Sequence, residues 1–187
     1  MDRRLVLKAR DGDPEAFRTL AVASHPRLFS TAFGVLRDRG LAEDATQRAL
    51  VDVWRHFRGL RDPDRFDAWS YRILLHACYA EARRRPSWVP EGELPNGAQP
   101  VAADEFGRID DRDELERAFQ RLSLDHRAVV VLHHLADLPL DSVAEILDVK
   151  VGTVKSRLHR ALAELRAAIE ADHRWTSSVA MKRGAVR

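Results

Sequence analysis

Residues 86–108 most limit what this chain can become. They read PSWVPEGELPNGAQPVAADEFGR, with Pro and Gly recurring and no helical period. No packed element can run through such a segment, so it is expected to be a flexible, partly extended linker between two folding units. The flanking stretches are short, 85 residues before it and 79 after. Apolar residues make up 45% of the chain, enough for packed cores in both. With only 9 Gly in 187 residues and few β-branched runs, the balance favours helix. The expected fold class is all-α, with two small helical domains joined by a flexible acidic linker.

Charge is distributed in the same three parts. Residues 1–85 hold 17 Lys and Arg against 12 Asp and Glu, a net of +5. Residues 86–116 hold 2 against 9, a net of −7, and residues 117–187 hold 12 against 8, a net of +4. Two basic lobes around an acidic strip suit two contacts with a polyanion and have no evident use in a uniform enzyme. The single Cys, Cys78, excludes an internal disulfide framework and a Cys-based zinc site. It lies in an apolar helical stretch and reads as a buried, inert thiol. No apolar run reaches the roughly 18 residues that span a bilayer. The start, MDRRLVLKARDGD, turns charged too soon for a secretory signal, so a cytoplasmic location without membrane insertion is expected.

Along the first lobe, Asp13-Pro14-Glu15 is a helix start: a capping acid, Pro at the first position, then a first-turn carboxylate. Pro26 interrupts the pattern and fits the first position of a second helix, which Gly40 ends. Residues 41–57 place Leu41, Ala45, Ala49, Leu50, Val53, Trp54 and Phe57 at helical spacing. A loop with Arg, Asp and Pro63 follows, then a helix from about 67 to 85. The second lobe begins near Ile109, where Leu115, Ala118, Phe119 and Leu122 share a face. Residues 123–135 hold the β-branched run Val129-Val130-Val131, which the flanking spacing and the lack of a sheet partner assign to helix.

The most informative feature comes next. A short helix over 140–147 is followed by the turn Asp148-Val149-Lys150 and a longer helix over 152–169. That spacing suits a helix-turn-helix, with small Ala144 at the close approach. Val154, Leu158, Ala161, Leu162 and Leu165 form the inward stripe of the second helix. Thr153, Lys155, Ser156, His159 and Arg160 lie outward near its start, as donors for phosphates and base edges. A plainly solvated polar face would carry the same residue types.

VGTVKSRLHRALAELR closely resembles the recognition helix of the extracytoplasmic-function sigma factors, in the sigma-70 superfamily. LAEDATQRALVDVWRHF resembles their second-region helix, RFDAWSYRI…ARRR the helix after it, and GDPEAFRTL their opening. The matches keep the family's order and cover roughly residues 8–170. The resemblance implies a non-enzymatic initiation factor that directs core RNA polymerase to promoter DNA, without a cofactor or metal. A region 2-like domain would span 1–85, the linker 86–108, and a region 4-like helix-turn-helix domain 109–170.

By the same resemblance, Asp44, Gln47, Arg48 and Asp52 would meet the polymerase, with Trp54 and Phe57 in the core. Arg58, Arg61, Arg65, Trp69, Arg72, His76, Arg83 and Arg84 would melt and hold the downstream promoter element. A flipped base must be held, and the exposed strand tracked by positive charge. Thr153, Lys155, Ser156, His159 and Arg160 would read the upstream element. An anti-sigma protein is an expected further partner. The sequence departs from the family at His76, Leu75 and Ala80, at Asp148 in place of the turn Gly, and at Pro139 in place of a capping Ser. Residues 171–187, outside the resemblance, are expected to form a disordered basic tail.

Two other classes compete. A LuxR-type regulator has a similar helix-turn-helix, but such proteins usually carry a strand-containing sensor, and residues 1–85 show no alternating pattern. For an enzyme, the chain has no Gly-rich phosphate loop and no nucleophile elbow. Adjacent His133 and His134 point to different sides of a helix, which is poor for sharing a metal.

Overall fold

The computed structural model describes residues 1–84 and 106–184, with side-chain surroundings for 1–84 and 114–171. Most of the expected linker thus lies outside the described residues. The first lobe holds helices α1 (Arg3–Arg10), α2 (Pro14–Leu36), α3 (Arg39–His56) and α4 (Phe66–Arg84), with 3-10 turns at Phe57–Gly59 and Pro63–Arg65. The second holds α5 (Phe106–Arg121), α6 (Leu124–Val130), a wide π-type turn at Val131–Leu135, α7 (Leu140–Leu147) and α8 (Val151–Gly184). No strand occurs among the described residues.

Local chemistry accounts for most boundaries. Side-chain oxygens of Asp2, Asp13, Asp38 and Ser123 accept first-turn backbone N–H groups at 2.9–3.2 Å. Each satisfies a donor that the helix itself cannot. Pro26 departs from expectation: it lies inside the continuous 23-residue α2 rather than opening a new helix. A proline removes the bond to the carbonyl four residues back, which belongs to Val22. Val22 is 70% exposed and Pro26 is exposed, so water can satisfy that carbonyl. Gly40 does not end α2 either. Arg37 ends it in a left-handed conformation at φ 56°, Asp38 caps the next helix, and Gly40 falls in the first turn of α3. At the other end, α8 runs helically to Gly184, well into the expected tail.

Each lobe has its own apolar cluster. In the first, Val6, Leu20, Val53, Phe57, Leu60 and Phe66 pack together. In the second, Ala118, Leu122, Val130, Ala161, Leu165 and Ala168 do so. A third cluster runs through both lobes, joining Leu28, Val35, Leu74 and Leu75 to Val129, Leu132, Val143 and Ile146. The lobes therefore pack on each other: α4 lies against α7, and α2 against α6 and the π-type turn.

Gly34 sets the closeness of that second contact. A Cβ there would stand 2.9 Å from Val131 Cγ2, closer than real Cβ contacts come, and 3.0 Å from Cγ1, tighter than nearly all of them. Gly34→Ala is expected to destabilise the chain by about 1–3 kcal/mol, the usual cost of overpacking. In a Val131→Ala background the added cost should nearly vanish. Equal costs in both backgrounds, measured by denaturant unfolding, would refute the contact.

Candidate polymerase and nucleic-acid interface

On α3, the residues facing away from the core form a stripe. Asp44, Gln47, Val51 and Trp54 are exposed at intervals of three and four, so they stand one above another. Asp44 and Gln47 have no hydrogen-bond or ion-pair partner among the described residues. Trp54, expected in the core, is 44% exposed, and its ring leans on Phe17 at 4.7 Å between centroids. Val51, which the sequence reading passed over, is 41% exposed. The spacing from Gln47 to Val51 to Trp54 was the available signal for this mixed face. Phe57 is buried. Asp52 is half-buried, with Arg55 3.9 Å away.

Arg48 lies beside the stripe and turns inward, forming an ion pair with Glu81 of α4. Glu81 is only 4% exposed, and Arg84 approaches it at 3.6 Å. The pair ties α3 to α4 and orients the stripe.

The proposed downstream reader surrounds a cavity of about 220 Å³. Leu60, Arg61, Arg65, Trp69 and Arg72 line it from the first lobe, and Glu145 and Ile146 of α7 close it. Trp69 is half-buried, edge-on to Phe57 at 5.8 Å, so only part of its ring reaches the cavity. Arg58, Arg61, Arg83 and Arg84 are exposed around it or further along α4. His76 lines a second cavity of about 230 Å³ with Arg72, Tyr79, Asp125, Asp148 and Arg157. Burial, reinforced by a 2.7 Å hydrogen bond donated to Asp125 Oδ1, pushes the Tyr79 phenol well above its usual pKa. Burial likewise raises the Cys78 thiol to about 12, as expected of an inert cysteine.

The helix-turn-helix is built as the residues require. Asp148 occupies the left-handed region at φ 55°, and its N–H and that of Val149 close the turn on carbonyls of Glu145 and Ala144. Asp tolerates this conformation better than most side chains. Pro139 precedes α7 without a capping side-chain bond. On α8, Val154, Ala161 and Leu165 are buried, with Leu158 and Leu162 packed beside them. Lys155, Ser156, His159 and Arg160 are exposed on the opposite side, and Thr153 is half-buried at the helix start. A Cβ at Gly152 would meet nothing within 4 Å, so the first turn of α8 is open to a ligand. Free N–H groups and the positive end of the helix dipole face out there.

Among the described residues, no group of three or more His, Cys, Asp or Glu side chains could hold a metal. None of their helices is long and apolar enough to cross a membrane.

Two packed helical lobes, one with a helix-turn-helix and one with a basic cavity, define a DNA-binding transcription protein. The comparisons with known proteins agree. Residues 20–87 match the family described as Sigma-70 region 2, and residues 112–165 that described as Sigma-70, region 4. The RNA polymerase sigma-E factor of Streptomyces antibioticus is 31% identical over 160 residues, 85% of this chain and 87% of that protein. The ECF RNA polymerase sigma factor SigM of Mycobacterium tuberculosis is 32% identical over 164 residues, 88% of this chain and 82% of that one. Among solved structures, CnrH in complex with the cytosolic domain of CnrY superposes with a TM-score of 0.69 at 25% identity, covering 91% of this chain and 98% of that one. RpoE in complex with the anti-sigma factor NepR from Bartonella quintana gives 0.67 at 23% identity, covering 83% and 98%. The chain belongs to the extracytoplasmic-function sigma factors of the sigma-70 family. It is an RNA polymerase sigma factor: its partners are core polymerase and promoter DNA, and its work is transcription initiation rather than that of a LuxR-type regulator.

Proposed function

We propose a division of labour between the lobes. Residues 1–85 hold core polymerase and capture the downstream promoter element, residues 109–170 read the upstream element, and residues 86–108 connect them. The protein performs no catalysis of its own and works in the cytoplasm, where the polymerase is. Asp44, Gln47 and Asp52 meet the polymerase, with Arg48 holding their helix in place. Arg58, Arg61, Arg65, Trp69, Arg72, His76, Arg83 and Arg84 serve the melted strand, for which a cavity with an aromatic wall and an arginine rim is well suited. Thr153, Lys155, Ser156, His159 and Arg160 serve the upstream duplex. CnrH was solved with the cytosolic domain of CnrY and RpoE with the anti-sigma factor NepR, and a comparable anti-sigma partner fits this chain.

The observation that carries the polymerase assignment is the exposed α3 stripe, whose polar members have no role inside the fold. Gln47→Ala with Asp52→Ala is expected to weaken binding to core polymerase by about tenfold, as central interface residues do. Gln47 is exposed and Asp52 half-buried with only a 3.9 Å contact to Arg55, so the pair of substitutions should cost about 1 kcal/mol or less and leave helicity and melting temperature nearly unchanged. Core binding as tight as the parent's in a pulldown titration rules the assignment out.

A further inference from the structure

Most cations of the first lobe stand within 4.0 Å of a carboxylate. Arg4, Lys8, Arg58, Arg61 and Arg83 have no such neighbour among the described residues, and their side chains make no hydrogen bond there. Three of these five are assigned above to the downstream element. Arg4 and Lys8 of α1 have no assignment.

The carboxylates at this end of the lobe are engaged elsewhere. Asp2, Asp13 and Asp62 accept first-turn backbone N–H groups. Asp11, Glu15 and Asp64 pair with Arg10, Arg18 and Arg3. A lone exposed cation needs no explanation. Four in one tract, with every nearby carboxylate turned to another group, suit a polyanion.

The tract is continuous with the cavity. Val6 and Ala9 seat α1 on Phe57, Leu60 and Phe66, which carry the 3-10 turns of the cavity wall. Arg4 and Lys8 are exposed on α1 and four positions apart, so they stand one above the other. That spacing is about 6 Å along the helix axis. After α1 the chain turns at Gly12, with φ 100°. A Cβ at Gly12 would stand 3.9 Å from Arg58 Nη2. Leu60 and Arg61, just beyond Arg58, line the cavity itself.

We infer that Arg4 and Lys8 are phosphate contacts for the single strand after it leaves the cavity. This rests on the reading of that cavity as the downstream site. The strand passes from the cavity over Arg61 and Arg58 and onto the exposed side of α1. The two α1 cations meet backbone and not base edges, so they add affinity and salt dependence without sequence preference.

The test uses holoenzyme assembled from the full chain and core polymerase. A promoter that it selects from a random-sequence DNA pool supplies two fork-shaped probes. In the short probe the captured strand ends at the downstream element. In the long probe it continues as unpaired dT for about six nucleotides, a length on the scale of a single-strand site. Arg4→Ala with Lys8→Ala is expected to weaken the long probe about five- to tenfold and to change the short one by about twofold or less. The log–log salt slope of the long probe should fall by about 1.4, or about 0.7 for each lost single-strand contact. Arg4→Lys with Lys8→Arg keeps both charges and should bind like the parent. A control, Arg39→Ala with Arg166→Ala, removes the same charge from exposed positions on α3 and α8. It should change either probe by about twofold or less. An unchanged long-probe affinity and slope in the α1 variant overturns the path. So does an equal loss on both probes, which marks a weakened holoenzyme, or an equal loss in the control. The cavity reading is tested separately by Arg61→Ala with Arg65→Ala on the short probe. No loss there rejects the cavity as the downstream site, and the α1 path with it. A loss there, with the long-probe advantage intact in the α1 variant, rejects the α1 path alone.

Discussion

Arg48→Ala is expected to lower the stability of the free chain by about 2–4 kcal/mol. Removing one partner of a buried pair leaves the other charge in a site it cannot easily leave. Glu81 is 4% exposed, while the Arg48 side chain is 35% exposed, so the carboxylate is the group that would be stranded. Arg84 stands 3.6 Å away and would compensate in part, which places the cost below the largest values for such deletions. Pairing Arg48→Ala with Glu81→Gln should recover much of the loss, since a neutral amide is easier to bury than an unpaired carboxylate. Arg48→Lys should fall between, keeping the charge without the planar fork. Denaturant unfolding of the four proteins measures all of this. If Arg48→Ala weakens polymerase binding while the unfolding curve stays in place, Arg48 is a contact residue and not a brace.

The second large effect is expected on the upstream promoter element. Lys155, Ser156, His159 and Arg160 lie within about one and a half turns at spacings of three and four, so they share a face. A side chain reading a base edge and one holding a phosphate fail differently. Loss of a good base contact costs about 1–3 kcal/mol and relaxes preference at one base pair. Loss of a phosphate contact weakens all sequences alike and lowers the salt slope by about one. Arg160→Ala is expected to change the preferred base at a single upstream position. Lys155→Ala, nearer the helix start, is expected to reduce overall affinity and salt dependence. Holoenzyme binding to a set of single-base promoter variants at two salt concentrations separates the two patterns. If neither substitution alters binding while the fold stays intact, α8 is not the upstream reader.

Much of the helical frame was legible because it is written in local chemistry. The bounds of α7, the left-handed turn at Asp148 and the inward stripe of α8 all follow from residues a few positions apart. The β-branched run at 129–131 was rightly assigned to helix, since its neighbours carry the helical period, though the π-type turn that begins at Val131 leaves no comparable local mark. Pro26 misled because its cost depends on whether the carbonyl it orphans is wet, and only the packed fold decides that. Trp54 misled because the core takes Val53 and Phe57 on either side of it and leaves Trp54 at the edge, leaning on Phe17. Arg48 and Glu81 are 33 positions apart, and no helical spacing connects them. The seam between the lobes was likewise invisible: nothing near Gly34 signals that Val131 will press on it.

Cys78 has a practical consequence. As the chain's sole thiol, fully buried in the cluster shared by the two lobes, it is closed to alkylating reagents in the native state. Modification must wait for α4 to lift from its neighbours, so the labelling rate counts those events in the unaltered protein. The natural sequence thus holds a chemical clock for its own breathing. Oxidants meet the same barrier, so Cys78 can react with them no faster than that opening allows.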